Sequence, residues 1–333
     1  MTVDVHTHYV SQALAEALRR RSVPPRIETL SDGSERYHLP VGTLSFGSEY
    51  TDIAARVAFM DRLGIRLQLL SFPGLFGVDS LPADEAAPLL AEFNDDVASV
   101  GRRRPDRFAG LAALPFADMD RAAAEYRRAR TELGLSGAIL PVNGFLSIAE
   151  AAKFRPIFEA ARALGGHLFI HPGRRPDQVP LDPGTAPAFP FPDTPLPRQA
   201  LQVQADVASA MATLLFSDFL DPYRGVSIHV ANLGGTLPMV VERMDNVIRL
   251  RAETDPLPSS RMNRVYVDCS SLGPRSIELA VAMYGADKIL FGTDCPIFRT
   301  DWSLEAVEAA RIEPADKDKI LRGNAEALLA RIG

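Results

Sequence analysis

Eight short apolar runs, each followed by a longer amphipathic stretch, constrain this chain more than any other feature. The runs are Thr2–His6, Arg66–Phe72, Phe108–Leu114, Gly137–Val142, His167–His171, Gly225–Asn232, Arg264–Ser270 and Lys288–Thr293. They are nearly continuous in Val, Ile, Leu and Phe, the pattern of strands buried on both faces. Helical periodicity fills the intervals, over 52–63, 83–103, 119–133, 148–164, 198–214, 237–251, 274–284 and 304–310. A last helix over 316–329 is expected to cover one end. Eight strand–helix units predict the α/β class and a parallel (β/α)8 TIM barrel, with residues 1–333 forming a single domain. A doubly wound open sheet is the alternative. No G-x-G-x-x-G follows the first run, which weighs against a dinucleotide-binding version of it.

Two segments break the rhythm. Residues 22–50 form a polar insertion after strand one, with a hairpin expected around 37–44. Residues 172–197 contain nine prolines and predict a long loop after strand five. Both follow strand C-termini, so in a barrel both are expected over the mouth, where they would wall a pocket.

The charge balance excludes some partners. With 36 Lys and Arg against 42 Asp and Glu, the net charge is -6, which argues against nucleic acid. The triplets Arg19-Arg20-Arg21 and Arg102-Arg103-Arg104 sit at predicted helix ends, where cations suit the dipole. No apolar stretch is long enough to predict a membrane span, and the N-terminus runs directly into a strand, so no signal peptide is expected. Cys269 and Cys295 cannot staple a chain of this size, and a reducing, cytoplasmic setting follows.

Chemistry-bearing residues collect at the strand C-termini: His6, His8, His171, Asn232, Ser270 and Asp294. Histidines at i and i+2 of a strand share a side, with Cβ atoms about 6–7 Å apart, near enough for one ion. Three imidazoles and one carboxylate suit one divalent metal, zinc first, with room for a water. Taken singly, His171 could be a satisfied core histidine and Asp294 a helix cap; their joint placement favours the metal. Phe72, Phe298 and Trp302 could wall a pocket for a flat small-molecule substrate, as could Phe189 and Phe191 of the Pro-rich loop; each also suits ordinary packing.

The motifs His6-Thr7-His8, Phe169-Ile170-His171-Pro172-Gly173, Leu233-Gly234-Gly235-Thr236-Leu237-Pro238, Phe291-Gly292-Thr293-Asp294 and Gly323-Asn324-Ala325 resemble the amidohydrolase superfamily. Met60 to Ile65 and Phe108 to Pro115 are similar to its amidohydrolase 2 branch, the aminocarboxymuconate-semialdehyde decarboxylase-like proteins. The resemblance implies a metal-dependent barrel, often a homodimer, holding zinc or manganese on His6, His8, His171 and Asp294. Two positions depart from the pattern. Asn232 stands where the branch carries a histidine before x-Gly-Gly, and Asn cannot take a proton near neutral pH. The arginine that grips a carboxylate in the semialdehyde decarboxylases has no counterpart in 41–52; Arg174 and Arg175 could supply that charge or be solvated. His229, three residues before Asn232, is expected to point to the opposite side, towards the surrounding helices.

Three functions fit these residues. In a decarboxylase of an aromatic or unsaturated acid, Asp294 protonates the carbon that loses carbon dioxide. In a hydrolase or cyclase acting on an amide, ester or lactone, Asp294 shuttles the proton and Asn232 holds the substrate. In a binding protein the metal is structural. Decarboxylation is the first expectation.

Overall fold

The computed structural model describes residues 1–179, 194–252 and 254–332. The Pro-rich prediction therefore falls largely outside the described residues, Phe189 and Phe191 included. The eight predicted runs form β1 (Thr2–His8), β5 (Ile65–Ser71), β6 (Phe108–Ala112), β7 (Gly137–Pro141), β8 (His167–His171), β9 (Ser227–Val230), β10 (Tyr266–Asp268) and β11 (Ile289–Leu290). They pair in that order, every pair parallel. The first and last strands meet where Val5 N donates to Phe291 O at 3.0 Å, so the sheet curls into a (β/α)8 barrel.

Inside it, Val3, Val5, Leu67, Leu69, Leu111, Ile139, Phe169 and Leu290 form one packed cluster. The last helix, Asn324–Ile332, adds Ala325, Leu328 and Ile332 to that cluster and closes one end of the barrel; the single helix expected over 316–329 is instead a short helix, Pro314–Asp318, a wider turn, Lys319–Gly323, and this last helix. The alternate residues, such as Leu70, Leu140, Ile170 and Val230, face outward into the core shared with the helices. Both faces of each strand are thus dry, which is why the runs read as continuous rather than alternating. Among the described residues no helix is long and apolar enough to cross a membrane.

The insertion after the helix Gln12–Arg19 is a three-stranded antiparallel sheet, β2 (Arg26–Thr29), β3 (Glu35–His38) and β4 (Thr43–Phe46). Gly33 and Gly42, at φ +83° and +90°, take the turn positions that an L side chain disfavours. It is less polar than its composition suggests. Ile27, Tyr37 and Phe46 alternate onto a buried face, and the Tyr37 hydroxyl donates to Phe76 O at 3.1 Å. That bond seats the sheet over the C-terminal mouth of the barrel.

Just past β5, Asp79 is buried, accepts a hydrogen bond from Ser80, and makes no ion pair among the described residues. Burial pushes its pKa up to about 8, with the Ser80 contacts opposing only part of the rise. An unfolded Asp ionises near ~3.9, so the folded chain retains a proton that the unfolded chain releases. The associated stability is present below about pH 4 and is lost as pH rises through about 8. Asp79→Asn should remove a slope of at most ~1.4 kcal/mol per pH unit across that window. Urea unfolding at pH 5 and pH 8 reads this directly: an unchanged difference between variant and parent at the two pH values would exonerate Asp79.

Candidate metal centre

His6 and His8 lie at the C-terminal end of β1, and His171 ends β8; all three are buried. Their rings pack edge to face with centroids 4.7–5.3 Å apart. Each ring has one nitrogen held by the protein. His6 Nδ1 lies 3.0 Å from Asp268 Oδ2, His8 Nδ1 3.2 Å from Ser71 Oγ, and His171 Nδ1 2.9 Å from Pro172 O. The Pro172 carbonyl and the Asp268 carboxylate can only accept. Ser71 already donates its hydroxyl proton to Thr7 O, so it too must accept from His8. All three imidazoles therefore carry the proton on Nδ1 and present an Nε2 lone pair. Those three Nε2 atoms are buried with no hydrogen-bond partner.

Asp294 completes the group. Its Oδ1 is 3.0 Å from His8 Nε2 and 3.7 Å from His6 Nε2, and one donor atom from each of the four residues lies within 4.8 Å of the others. The carboxylate is placed by backbone bonds: Asp294 N donates to His6 O at 2.8 Å, and His8 N donates to Cys295 O at 2.7 Å. Asp294 sits at φ +61°, and Asn232 and Ser271, at the ends of two neighbouring strands, also have φ near +57°. Such left-handed turns cost ~1–3 kcal/mol for an ordinary residue and less for Asn and Asp, and they cluster at functional sites.

The electrostatics favour a cation. Burial drives the pKa values of His8 and His171 well below the ordinary value, so both remain neutral donors. Burial opposes a charge on His6 as well, but Asp268 and Asp294 overcome it and raise its pKa to about 9. Two carboxylates thus favour a positive charge beside the neutral His8 and His171, as a proton on His6 Nε2 or as a divalent ion that displaces it, and the residues present fit such an ion.

Asp268, which the sequence reading did not single out, organises this arrangement. Burial resists its ionisation, yet the charge on His6 and the hydrogen bonds from His229 and His6 hold it well below the usual carboxylate range. Its Oδ2 takes His6 Nδ1 and His229 Nε2, at 3.0 and 2.8 Å; its Oδ1 takes Ser270 N at 2.9 Å. A lone acid closing an otherwise apolar strand, Val265-Tyr266-Val267-Asp268, was the available signal. Beneath β1, the buried Asp4 binds Thr293 and Gln68, and Arg56 binds Gln68, His8 O and Glu49 O, so the ligand strand rests on a hydrogen-bonded floor.

His229 corrects an expectation. It faces the barrel interior rather than the helices, stacked on Phe169 with centroids 4.3 Å apart. The expectation assumed a regular strand through Asn232, whereas β9 ends at Val230 and the left-handed turn at Asn232 and Leu233 resets the side-chain direction. Asn232 consequently reaches the mouth. It lines a cavity of about 520 Å3 together with His8, His171, Asp294 and Phe298. The other expected wall residues lie elsewhere. Phe72 is fully buried against Phe76 and Phe93, because it leaves β5 on the outward face. Trp302 is half exposed with the Arg299 guanidinium over its ring, and Arg174 is outside the cavity lining.

A family model described as amidohydrolase matches residues 3–331. The chain belongs to the amidohydrolase family. Within it, the amidohydrolase 2 branch suggested by the motifs is where its relatives fall. This amidohydrolase is 29% identical over 296 residues to a gamma-resorcylate decarboxylase of Polaromonas sp. (strain JS666 / ATCC BAA-500), covering 82% of this chain and 86% of the relative. It is 24% identical to a 6-methylsalicylic acid decarboxylase of Penicillium expansum, over 99% and 96% of the two chains. Among solved structures, a dihydroxybenzoic acid decarboxylase from Polaromonas sp. JS666 with bound manganese superposes with a TM-score of 0.71 at 24% identity, over 99% of this chain and 96% of that one. That likeness shows the fold; the fit to a divalent ion rests on this chain's own cluster of three imidazoles and one carboxylate.

Proposed function

We propose that this amidohydrolase removes carbon dioxide from a small aromatic carboxylic acid, with His6, His8, His171 and Asp294 as the ligands of one divalent ion. The observation that carries the reading is the convergence of three imidazole Nε2 atoms, each with its Nδ1 held by the protein, and one carboxylate beside a cavity. The relatives that decarboxylate resorcylate and methylsalicylate support the reaction class. When bound, the ion supplies a positive centre that fixes a carboxylate and offsets negative charge developing beside it. Zinc suits three imidazoles and one carboxylate, and the manganese of the related structure makes manganese the second candidate.

The chain's own residues do the rest. Burial raises the pKa of Asp294 above its ordinary value, against the pull of His6 and His171, so its carboxyl retains a proton more readily than an exposed one. It delivers that proton to the ring carbon bearing the carboxylate. The bond from that carbon to the carboxylate then breaks, its electron pair returns to the ring, and carbon dioxide leaves. Asn232 bonds an adjacent substrate hydroxyl and orients the ring. Its amide cannot take a proton, and the decarboxylase reading asks for none at that position.

The test is metal exchange. The chelated protein, reloaded with zinc or manganese, should bind one ion per chain and release carbon dioxide and a phenol in equal amounts from a hydroxybenzoate. A fully loaded protein that releases none across a broad panel of aromatic acids would refute the reading, and turnover of amides or lactones instead would replace it with hydrolysis.

A further inference from the structure

The interior of the barrel is filled by apolar side chains such as Val5, Leu69, Leu111 and Ile139, and His229 breaks that pattern. In β9, Ile228 and Val230 pack outward against the helices, which turns Ser227 and His229 inward. The His229 ring is fully buried, stacked on Phe169 with the two planes 11° apart. It is not among the described residues that line the cavity, so it does not stand in for the base that Asn232 cannot be.

A polar ring in a dry interior is costly unless its nitrogens are bonded. His229 bonds one of them: Nε2 lies 2.8 Å from Asp268 Oδ2. The carboxylate can only accept, so the proton sits on Nε2, and Nδ1 keeps a buried lone pair without a partner. The same Oδ2 atom takes His6 Nδ1 at 3.0 Å. One oxygen therefore serves two imidazoles, one on a candidate metal ligand and one on β9. Asp268 Oδ1 is fixed separately, by Ser270 N at 2.9 Å. Without His229, only the His6 ring would hold Oδ2, and ring and oxygen would be free to swing together. A second route exists through packing. Phe169, on which His229 stacks, meets His6 and His171 edge to face at 4.9 and 5.4 Å between centroids.

We infer that His229 is a positioning residue of the metal centre, holding Asp268 Oδ2 so that His6 Nε2 stays aimed at the other three donor atoms. This rests on His6, His8, His171 and Asp294 as the metal ligands and is independent of the reaction. The hydrogen bond carries the effect, and the ring stack only seats it. Groups that orient a ligating imidazole contribute ~10–100-fold in metal affinity. His229 acts one bond further out than Asp268, so the lower end of that range, about tenfold, is expected of it.

Two substitutions separate the routes. His229→Phe keeps a ring on Phe169 and removes the N–H; His229→Gln keeps an N–H near the place of Nε2 and removes the ring. Titration of the folded proteins with cobalt(II), followed by the visible absorption of the bound ion, reads affinity and ligand geometry together. The Phe variant should bind about tenfold more weakly with an altered band, and the Gln variant should lie closer to the parent. A merely structural role would lower stability in chelator and leave affinity and band unmoved. One measurement needs no substitution. In protein with isotope-labelled histidine, the His229 Nε2 proton should shift upfield on zinc loading, because the ion strengthens the His6 bond to the shared oxygen and weakens its neighbour. An unmoved proton, or equal affinity in parent and Phe variant, overturns the assignment and leaves the ligand set intact. Affinity kept by Phe and lost by Gln overturns it in favour of the ring stack. A parent that takes up no divalent ion overturns the assignment and the metal reading together.

Discussion

Asp294→Asn is expected to lower carbon dioxide release by roughly 10³-fold, within the ~10²–10⁴-fold range of general acid contributions. The amide keeps the shape and one oxygen donor but carries no acidic proton for the ring carbon. It also removes one of the two negative charges facing His6, so metal affinity should weaken without vanishing. The backbone bonds that place residue 294, to His6 O and from His8 N to Cys295 O, do not involve the side chain and should hold the turn. Circular dichroism should therefore be unchanged, and metal content should be restored at higher metal concentration. Carbon dioxide release within tenfold of the parent, measured at full metal occupancy, would remove Asp294 from the proton-transfer role.

Asp268→Ala should produce the largest stability loss. The substitution leaves the buried His6 and His229 without their shared acceptor, and frees the Ser270 amide. Removing one partner of a buried charged pair costs ~3–5 kcal/mol, because the other partner remains desolvated. Metal affinity should fall a further ~10–100-fold, the usual effect of losing the group that orients a ligating imidazole. Denaturant unfolding in chelator isolates the first effect, and metal titration of the folded variant reads the second. Asp268→Asn is the control, since it keeps an acceptor for one imidazole; it should fall between parent and Ala in both measurements. Equal stability of parent and Ala variant in chelator would mean that the carboxylate serves the ion alone.

The barrel was legible because its strands are buried on both faces. The eight apolar runs mark the strands without reference to their partners, and the order of pairing follows from chain order in a parallel barrel. The residues His6, His8, His171 and Asp294 were legible for a related reason: strand C-termini are where such a barrel presents side chains. Asp268 was not, since one acid at the end of an apolar run reads equally as the first residue of a loop; only the approach of β1 and β9 gives it His6 and His229. His229 was misdirected because strand alternation predicts facing only as far as the strand is regular, and β9 stops two residues short of Asn232. Phe72 and Trp302 show the complementary limit. Both follow strands in sequence, but whether a ring turns inward depends on the backbone after the last paired residue, and no periodicity reports that.

The placement of Asp294 between His6 and His8 has a consequence for the order of events during synthesis. Two ligands come from the first barrel strand and one from just beyond the last, with 285 residues between His8 and Asp294 (294 − 8 = 286 positions). No partial chain lacking the eighth strand contains the complete ligand set, however much of the sheet it has formed. If these four residues hold the ion, they can do so only once β1 and the turn after β11 have met, and its binding energy is added to the step that shuts the seam. Metal uptake would then serve as a clasp, and as a natural timer for the arrival of the finished molecule.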